Sequence, residues 1–213
     1  MNKEQEQLDP NTGAILNAVS QRVLGSGDIK KQALVDVGCG EGRLLARLQE
    51  NGLQHLAGIG WAVKVPAEVD AFNGIDLSQA GWSARLQGRK FDWVVSTEVI
   101  EHLVNPFHYL VELRNIVTPD GRLLLTFPNV HSWRSIVGYA VAGRFSGFFG
   151  VNFNDNHPLH DQHIFIPNIH LVRYFLKLAG FSITEILWVN GRHRLTAQTT
   201  MVIAQPFDPV NVS

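Results

Sequence analysis

Three groups of residues in this 213-residue chain have the types and spacing that chemistry needs. The first is Val35-Asp36-Val37-Gly38-Cys39-Gly40-Glu41-Gly42, an apolar run broken by one acid and closed by alternating glycines. Glycine has no Cβ, adopts positive φ freely and lets a ligand lie close to the backbone. Leu34 precedes the run, and Leu44, Leu45 and Leu48 would share one face of a helix after it, so the pattern predicts strand, tight loop and helix. Such a crossover opens a ligand site at the carboxyl end of the first strand of an open α/β sheet. The second group is Glu98, Glu101 and His102, whose offsets of three and four share one face of a helical turn. A histidine's ordinary pKa suits a general base near neutrality, which makes His102 a candidate, while the alternative is that these side chains fix a loop by hydrogen bonds. The third is His157-Pro158-Leu159-His160-Asp161-Gln162-His163. It matches no standard zinc spacing and Pro158 bars a regular helix, so the expectation is no metal.

The glycine spacing selects the ligand. A dinucleotide fingerprint wants glycine at position 43, where the chain has Arg43, and no P-loop lysine comes after the loop. The remaining pattern, with Asp36 two residues ahead of Gly38, resembles motif I of class I S-adenosylmethionine-dependent methyltransferases. Lys90-Phe91-Asp92-Trp93-Val94-Val95-Ser96-Thr97-Glu98-Val99-Ile100-Glu101-His102-Leu103 resembles the FDxVxxxEVxEHL signature of the small-molecule members, such as the ubiquinone-pathway enzymes. Thr118-Pro119-Asp120-Gly121-Arg122-Leu123 resembles their kPGG turn, and Phe127-Pro128-Asn129 their PN segment. These motifs span residues 34 to 129. Residues 127 to 181, with Pro167-Asn168-Ile169-His170-Leu171, more loosely resemble MetW, a methyltransferase-like protein of methionine biosynthesis.

The resemblance implies a cofactor, S-adenosylmethionine, and a set of positions facing it. Asp36, Gly38, Cys39, Gly40 and Gly42 would face its methionine and ribose part. Gly60 and Trp61 would lie at the end of the second strand, with Trp61 either stacked on the adenine or simply packed. Asp76 and Leu77 match the adenine motif, although Asp76 is read equally well as the cap of the Ser78-Gln79 turn. Thr97 and Glu98 would lie beyond the fourth strand, near the transferred methyl. The resemblance makes His102, His160 and His163 the catalytic candidates. One position departs from the family: Gly60 stands where other members carry the acid that grips both ribose hydroxyls.

The predicted elements fit this scheme. Residues 1–10 read as a loose tail, then Asn11 or Thr12 caps a helix bearing Ile15, Ala18, Val19 and Val23. A second strand is expected at Leu56 to Ile59, a third ending near Ile75-Asp76-Leu77, and a fourth at Phe91 to Ser96. Asn105 and Pro106 open a helix that runs to Val117. Pro119-Asp120-Gly121 turns into a fifth strand, Leu123 to Phe127. A last helix, 168–179, is closed by Gly180, and two strands, 182–189 and 199–204, flank an Asn190-Gly191 hairpin turn. The expected architecture is α/β: one Rossmann-like domain over 1–213, a seven-stranded mostly parallel sheet with a terminal antiparallel hairpin and helices on both faces. Residues 130–166 would be an insertion covering the substrate side. Within it Ser132 to Phe149 is apolar and aromatic, which suits a buried helix, a lid, a lipid-contacting patch or a dimer surface.

Composition narrows the partners. Net charge is −1 and the isoelectric point about 6.8, so no global field favours nucleic acid. The single cysteine, Cys39, fits a reducing compartment, the first ten residues lack a signal-peptide core, and no stretch is apolar for long enough to span a membrane. The expectation is a cytoplasmic protein without integral membrane association, acting on a small-molecule acceptor, with a homodimer among the readings of the 132–149 segment. The function implied by the resemblance is methyl transfer to an oxygen of a small-molecule, sugar or lipid-linked acceptor. The alternative is a MetW-like regulatory or binding subunit that keeps the fold without turnover.

Overall fold

The computed structural model describes residues 9–27, 29–149 and 162–207. Its frame is a seven-stranded sheet. In chain order the elements are α1 (Pro10–Leu24), β1 (Leu34–Val37), α2 (Arg43–Glu50), β2 (Leu56–Ile59), β3 (Asp70–Phe72), β4 (Phe91–Thr97), α3 (Pro106–Ile116), β5 (Val117–Pro128), α4 (Trp133–Ala142), α5 (Ile169–Leu178), β6 (Phe181–Val189) and β7 (Thr199–Pro206). The sheet order is β3-β2-β1-β4-β5-β7-β6. Strands β1 to β5 are parallel, and β7 runs antiparallel between β5 and β6.

Both faces of the sheet are covered, which is why its central strands read as continuous apolar runs. All four residues of β1 are buried. Leu34, Trp93, Val95 and Leu124 pack with Ile15, Val19, Leu45 and Leu48 of α1 and α2. Val35, Val37, Val94, Leu123 and Leu125 face the other way, against Tyr109, Leu110 and Leu113 of α3 and Val172 and Leu176 of α5. The alternation along each strand divides the core into these two layers. The Asn105 side chain accepts from His108 N–H with Pro106 in the first turn, as the sequence predicted for α3.

Several boundaries differ from the expectations, each for a local reason. The cap of α1 is Asp9, whose carboxylate accepts from Asn11 and Thr12 N–H at 3.1 Å, so Pro10 opens the helix. Strand β3 lies before Ile75-Asp76-Leu77, with Ala57, Gly58 and Ile59 paired to Asp70, Ala71 and Phe72. The crossover over residues 60–69 contains no helix, so the chain returns to the sheet early. The strand it forms is a short, largely exposed edge, with Asp70 bonded to Arg89 at 2.8 Å, and it lacks the apolar signal of a buried strand. The Pro119-Asp120-Gly121 turn is instead a bulge inside β5, where pairing with β4 jumps from Phe91↔Val117 to Trp93↔Arg122. A Cβ on Gly121 would come within 2.7 Å of Val117 and Thr118 side-chain atoms, so only glycine fits. Asp92 spans the bulge, accepting from Ala33 N–H at 2.9 Å and Thr118 Oγ1 at 3.2 Å.

The β6–β7 connection takes residues 190–198 rather than two, and the strands first pair at Val189↔Thr199. Asn129 holds it, its amide donating to the Arg194 and Ala197 carbonyls at 2.6 and 2.9 Å. The buried-helix reading of 132–149 is overturned. Among the residues of α4 only Ser135 is buried, and Trp133, Ile136, Val137, Tyr139 and Val141 are exposed.

Candidate functional site

The carboxyl ends of β1 and β4 lie side by side, Asp36 opposite Val95. Asp36 is buried and its Oδ1 has no hydrogen-bond partner; burial alone raises its pKa from 3.8 to about 7. The loop beyond it has positive φ at Gly38, Gly40 and Gly42. A Cβ at Gly38 would overlap the Val99 side chain, and one at Gly42 would lie 2.5 Å from the Lys64 carbonyl, so packing dictates both glycines. Gly40 differs: a Cβ there would point into open space. Its carbonyl accepts from Lys64 N–H at 2.9 Å, which brings the helix-free crossover back over the loop. The Cys39 thiol is pushed up to about 12, first by burial and then by the Asp36 charge, which makes it a small packing group rather than a nucleophile.

Two cavities open at this end of the sheet, the first of them beside the loop. One, of about 350 Å³, is lined by Asp36, Cys39, Glu41, Arg43, Thr97 and Glu98, with Thr12, Ile15, Leu16 and Val19 of α1 as its far wall. The other, of about 290 Å³, is lined by Asn129, Ser132, Ser135, His163 and Thr199 among others, and again by Glu98. Glu98 is therefore the residue the two cavities share. It sits at φ 51, an uncommon conformation for a residue with a side chain. Thr126 Oγ1 secures it, accepting from Glu98 N–H at 3.1 Å and donating to Oε1 at 2.9 Å.

Behind Glu98 lies a second acid. Glu101 is fully buried and neither of its carboxyl oxygens has a donor partner, while its backbone carbonyl accepts from Ile164 and Phe165 N–H at 2.9 Å. Burial raises Glu98 to about 7, and burial together with the Glu98 charge raises Glu101 well above the carboxylate range. The Glu98 charge disfavours ionisation of the buried Glu101 beside it, so the two titrate as a coupled pair.

The structure brings His102 and His163 together, with ring centroids 4.7 Å apart and edge to face. His102 lines neither cavity; its Nδ1 lies 3.1 Å from the Gln162 carbonyl. Ligand-type atoms of Glu101, His102 and His163 lie within 4.8 Å of one another, a trio that shares only His163 with the 157–163 segment. His163 borders the second cavity, and burial lowers its pKa. His157, His160 and Asp161 lie outside the described residues.

The remaining candidates sit away from the first cavity, toward the β2–β3 edge. Gly60 is buried in the bend directly after β2, its N–H donating to the Phe72 carbonyl and its carbonyl accepting from Ile75 N–H, and a Cβ on it would make ordinary contact with Val63 at 3.6 Å. Trp61 is 74% exposed, so it is not a core residue. Asp76 caps the turn after it, accepting from Ser78 N–H at 2.9 Å and from Gln79 Nε2 at 3.2 Å. Sequence reasoning missed Thr12 and the α1 wall, and also Ser132, Ser135 and Thr199. Nothing in their local pattern marks them, because α1 and β7 reach the site only through the tertiary fold.

In sequence, the chain matches the family model described as a methyltransferase domain over residues 9–186. It is 26% identical over 134 residues to a ubiquinone biosynthesis O-methyltransferase of Rickettsia conorii, covering 61% of this chain and 46% of that protein. It is 30% identical over 103 residues to a tRNA U34 carboxymethyltransferase of Pseudoalteromonas translucida, covering 46% of this chain and 32% of that one. The chain thus spans half or less of the length of these curated relatives. In structure it resembles the magnesium protoporphyrin IX methyltransferase of Synechocystis PCC 6803 with bound SAH, with TM-score 0.66 and 18% identity, over 96% of this chain and 87% of that one.

The buried Asp36 makes stability depend on pH. Its folded pKa, about 7, exceeds the unfolded value of 3.8, so the native state keeps a proton that the unfolded chain releases. Its stabilising contribution is complete below pH 4 and is lost as pH rises to about 7, by up to about 4 kcal/mol. Asp36→Asn removes this dependence: in urea titrations the variant should lose less stability between pH 5 and pH 8 than the wild type. Equal losses would show that Asp36 ionises freely in the folded chain.

Proposed function

The chain belongs to the methyltransferase-domain family, and on that premise we propose that it transfers a methyl group from S-adenosylmethionine to an oxygen of a small-molecule, sugar or lipid-linked acceptor. The observation that carries this reading is the pair of cavities meeting at Glu98: one beside the glycine loop, the other polar and bordered by a histidine.

The residues present fit the cofactor. Asp36 offers a buried oxygen with no partner, and Gly40 leaves open the space a side chain would fill. Asp36, the 38–42 loop, Thr97 and Glu98 would hold it. Bound there, S-adenosylmethionine supplies an activated sulfonium methyl. In the second cavity Ser132, Ser135 and Thr199 present hydroxyl groups that orient a hydroxylated acceptor, and orientation is the main source of rate in such a transfer. His163, kept neutral at physiological pH by its lowered pKa, takes the acceptor proton. His102 stands behind His163 and positions it.

Gly60 favours a second reading, a regulatory or binding subunit of the MetW kind. Without an acid at the end of β2, two charge-assisted hydrogen bonds to ribose are lost, each worth about 1.5–3 kcal/mol.

Calorimetric titration with S-adenosylhomocysteine tests the cofactor site. The wild type should bind, and Gly40→Val should abolish binding while remaining folded, with a penalty of about 1–2 kcal/mol for a side chain at positive φ. Equal affinities would remove the loop from the site. Gly60→Asp should tighten binding by about tenfold or more, and less for an analogue lacking the ribose hydroxyls; unchanged affinity would mean that Gly60 does not face the ribose. With a methyl-accepting substrate in hand, His163→Ala should lower turnover by about 10²-fold or more and leave S-adenosylhomocysteine affinity unaltered. Loss of both would make His163 structural.

A further inference from the structure

Helix α4 is inside out for a helix of a water-soluble protein. Its Ser132 cap and Ser135 turn inward and line the second cavity, while Trp133, Ile136, Val137, Tyr139 and Val141 face solvent, Val141 at 83% exposure. Trp61 and Val104 aside, every exposed large hydrophobic among the described residues lies between Trp133 and Leu195. Apolar exposure on this scale marks an interaction surface.

Charge identifies what the surface meets. Residues 129–180 carry Arg134, Arg144, Arg173 and Lys177 against two acids, Asp155 and Asp161, both of which lie outside the described residues. Arg192 and Arg194 lie on the loop whose Leu195 carbonyl accepts from Trp133 N–H at 2.8 Å, beside the start of α4. The chain as a whole carries −1, so most of its acids lie in other parts of the sequence. A basic, aromatic and aliphatic surface repels a second copy of itself and suits anionic lipid headgroups over an acyl boundary. Trp and Tyr on the exposed face are the side chains that settle at such an interface. With ten residues, α4 is about 15 Å long, too short to cross a bilayer, and no described helix is long and apolar enough to do so. On a bilayer it would have to lie in the plane of the interface.

We propose that the outward face of α4, together with Phe149 and Leu195, docks peripherally on an anionic lipid bilayer. The inward face of the same helix then brings the second cavity against the membrane, where a lipid-linked acceptor resides. The docking is independent of the methyl-transfer reading; only the identity of the acceptor rests on it.

Vesicle flotation tests this without cofactor or substrate. The protein should float with phosphatidylcholine vesicles containing phosphatidylglycerol, and not with phosphatidylcholine alone, and high salt should weaken the association. The double variant Val137→Glu and Val141→Glu, at exposed positions outside both cavities, should bind the anionic vesicles about tenfold more weakly or worse and keep wild-type affinity for S-adenosylhomocysteine. Failure of the wild type to float with anionic vesicles would overturn the proposal, as would equal binding by the double variant. A wild-type dimer in size-exclusion chromatography that dissociates in the double variant, with no vesicle binding, would identify the face as a contact between copies and overturn it as well.

Discussion

The contact between Gly38 and Val99 is the constraint on which the site depends. The backbone after β1 lies directly against a side chain of the loop after β4, and a single added carbon at position 38 would overlap it. A comparable contact joins Gly42 to the Lys64 carbonyl, so three loops from β1, β2 and β4 interlock through positions without side chains. Glycine is used here less for flexibility than for thinness. Because the loops interlock, Asp36, Thr97 and Glu98 reach the same cavity wall although they come from two strands. The two apolar layers on either side of the sheet fix those strands, and the loops inherit their precision from it.

Much of this was legible in the sequence because it is encoded locally. The alternation of Asp36, Gly38, Gly40 and Gly42 identifies the loop, and the Asn105-Pro106 pair identifies the start of α3. Elements that owe their form to distant partners were not legible. Strand β3 is three residues long, exposed at an edge, and exists because β2 offers it a ladder. The bulge in β5 reads as a turn in sequence, since Pro119-Asp120-Gly121 suits either, and only Asp92 on the neighbouring strand decides between them. Likewise Asp9 prevails over Asn11 and Thr12 as the cap of α1 by geometry alone, and that choice leaves Asn11 and Thr12 lining one cavity each. The resemblance motifs also divide by role: Asp92 in the FD pair and Asn129 in the PN pair are structural ties, whereas Glu98 faces the cavities.

The acids inside the site are costly to hold. Asp36, Glu98 and Glu101 are all raised in pKa, and for each of them loss of water outweighs every other influence. Replacing the trio by apolar residues would relieve that desolvation, so the folded chain bears a penalty its core packing must offset. Glu98, one of four described non-glycine residues at positive φ, adds backbone strain in the same place. Destabilised groups gathered at one end of a sheet are what a preorganised site looks like in energetic terms.

A carboxyl that faces two chambers cannot serve them independently. Whatever fills one side of Glu98 alters the water around it and hence its readiness to give up a proton, and the other side experiences the change as a different charge. Affinity on the two sides is then linked, and by thermodynamic reciprocity each occupant alters the hold on the other by the same factor. The linkage also has a natural dial. Burial holds Glu98 above the usual carboxylate range, so acidity acts on the same wall that both occupants touch. Two chambers that share one wall are in this way coupled through a single side chain.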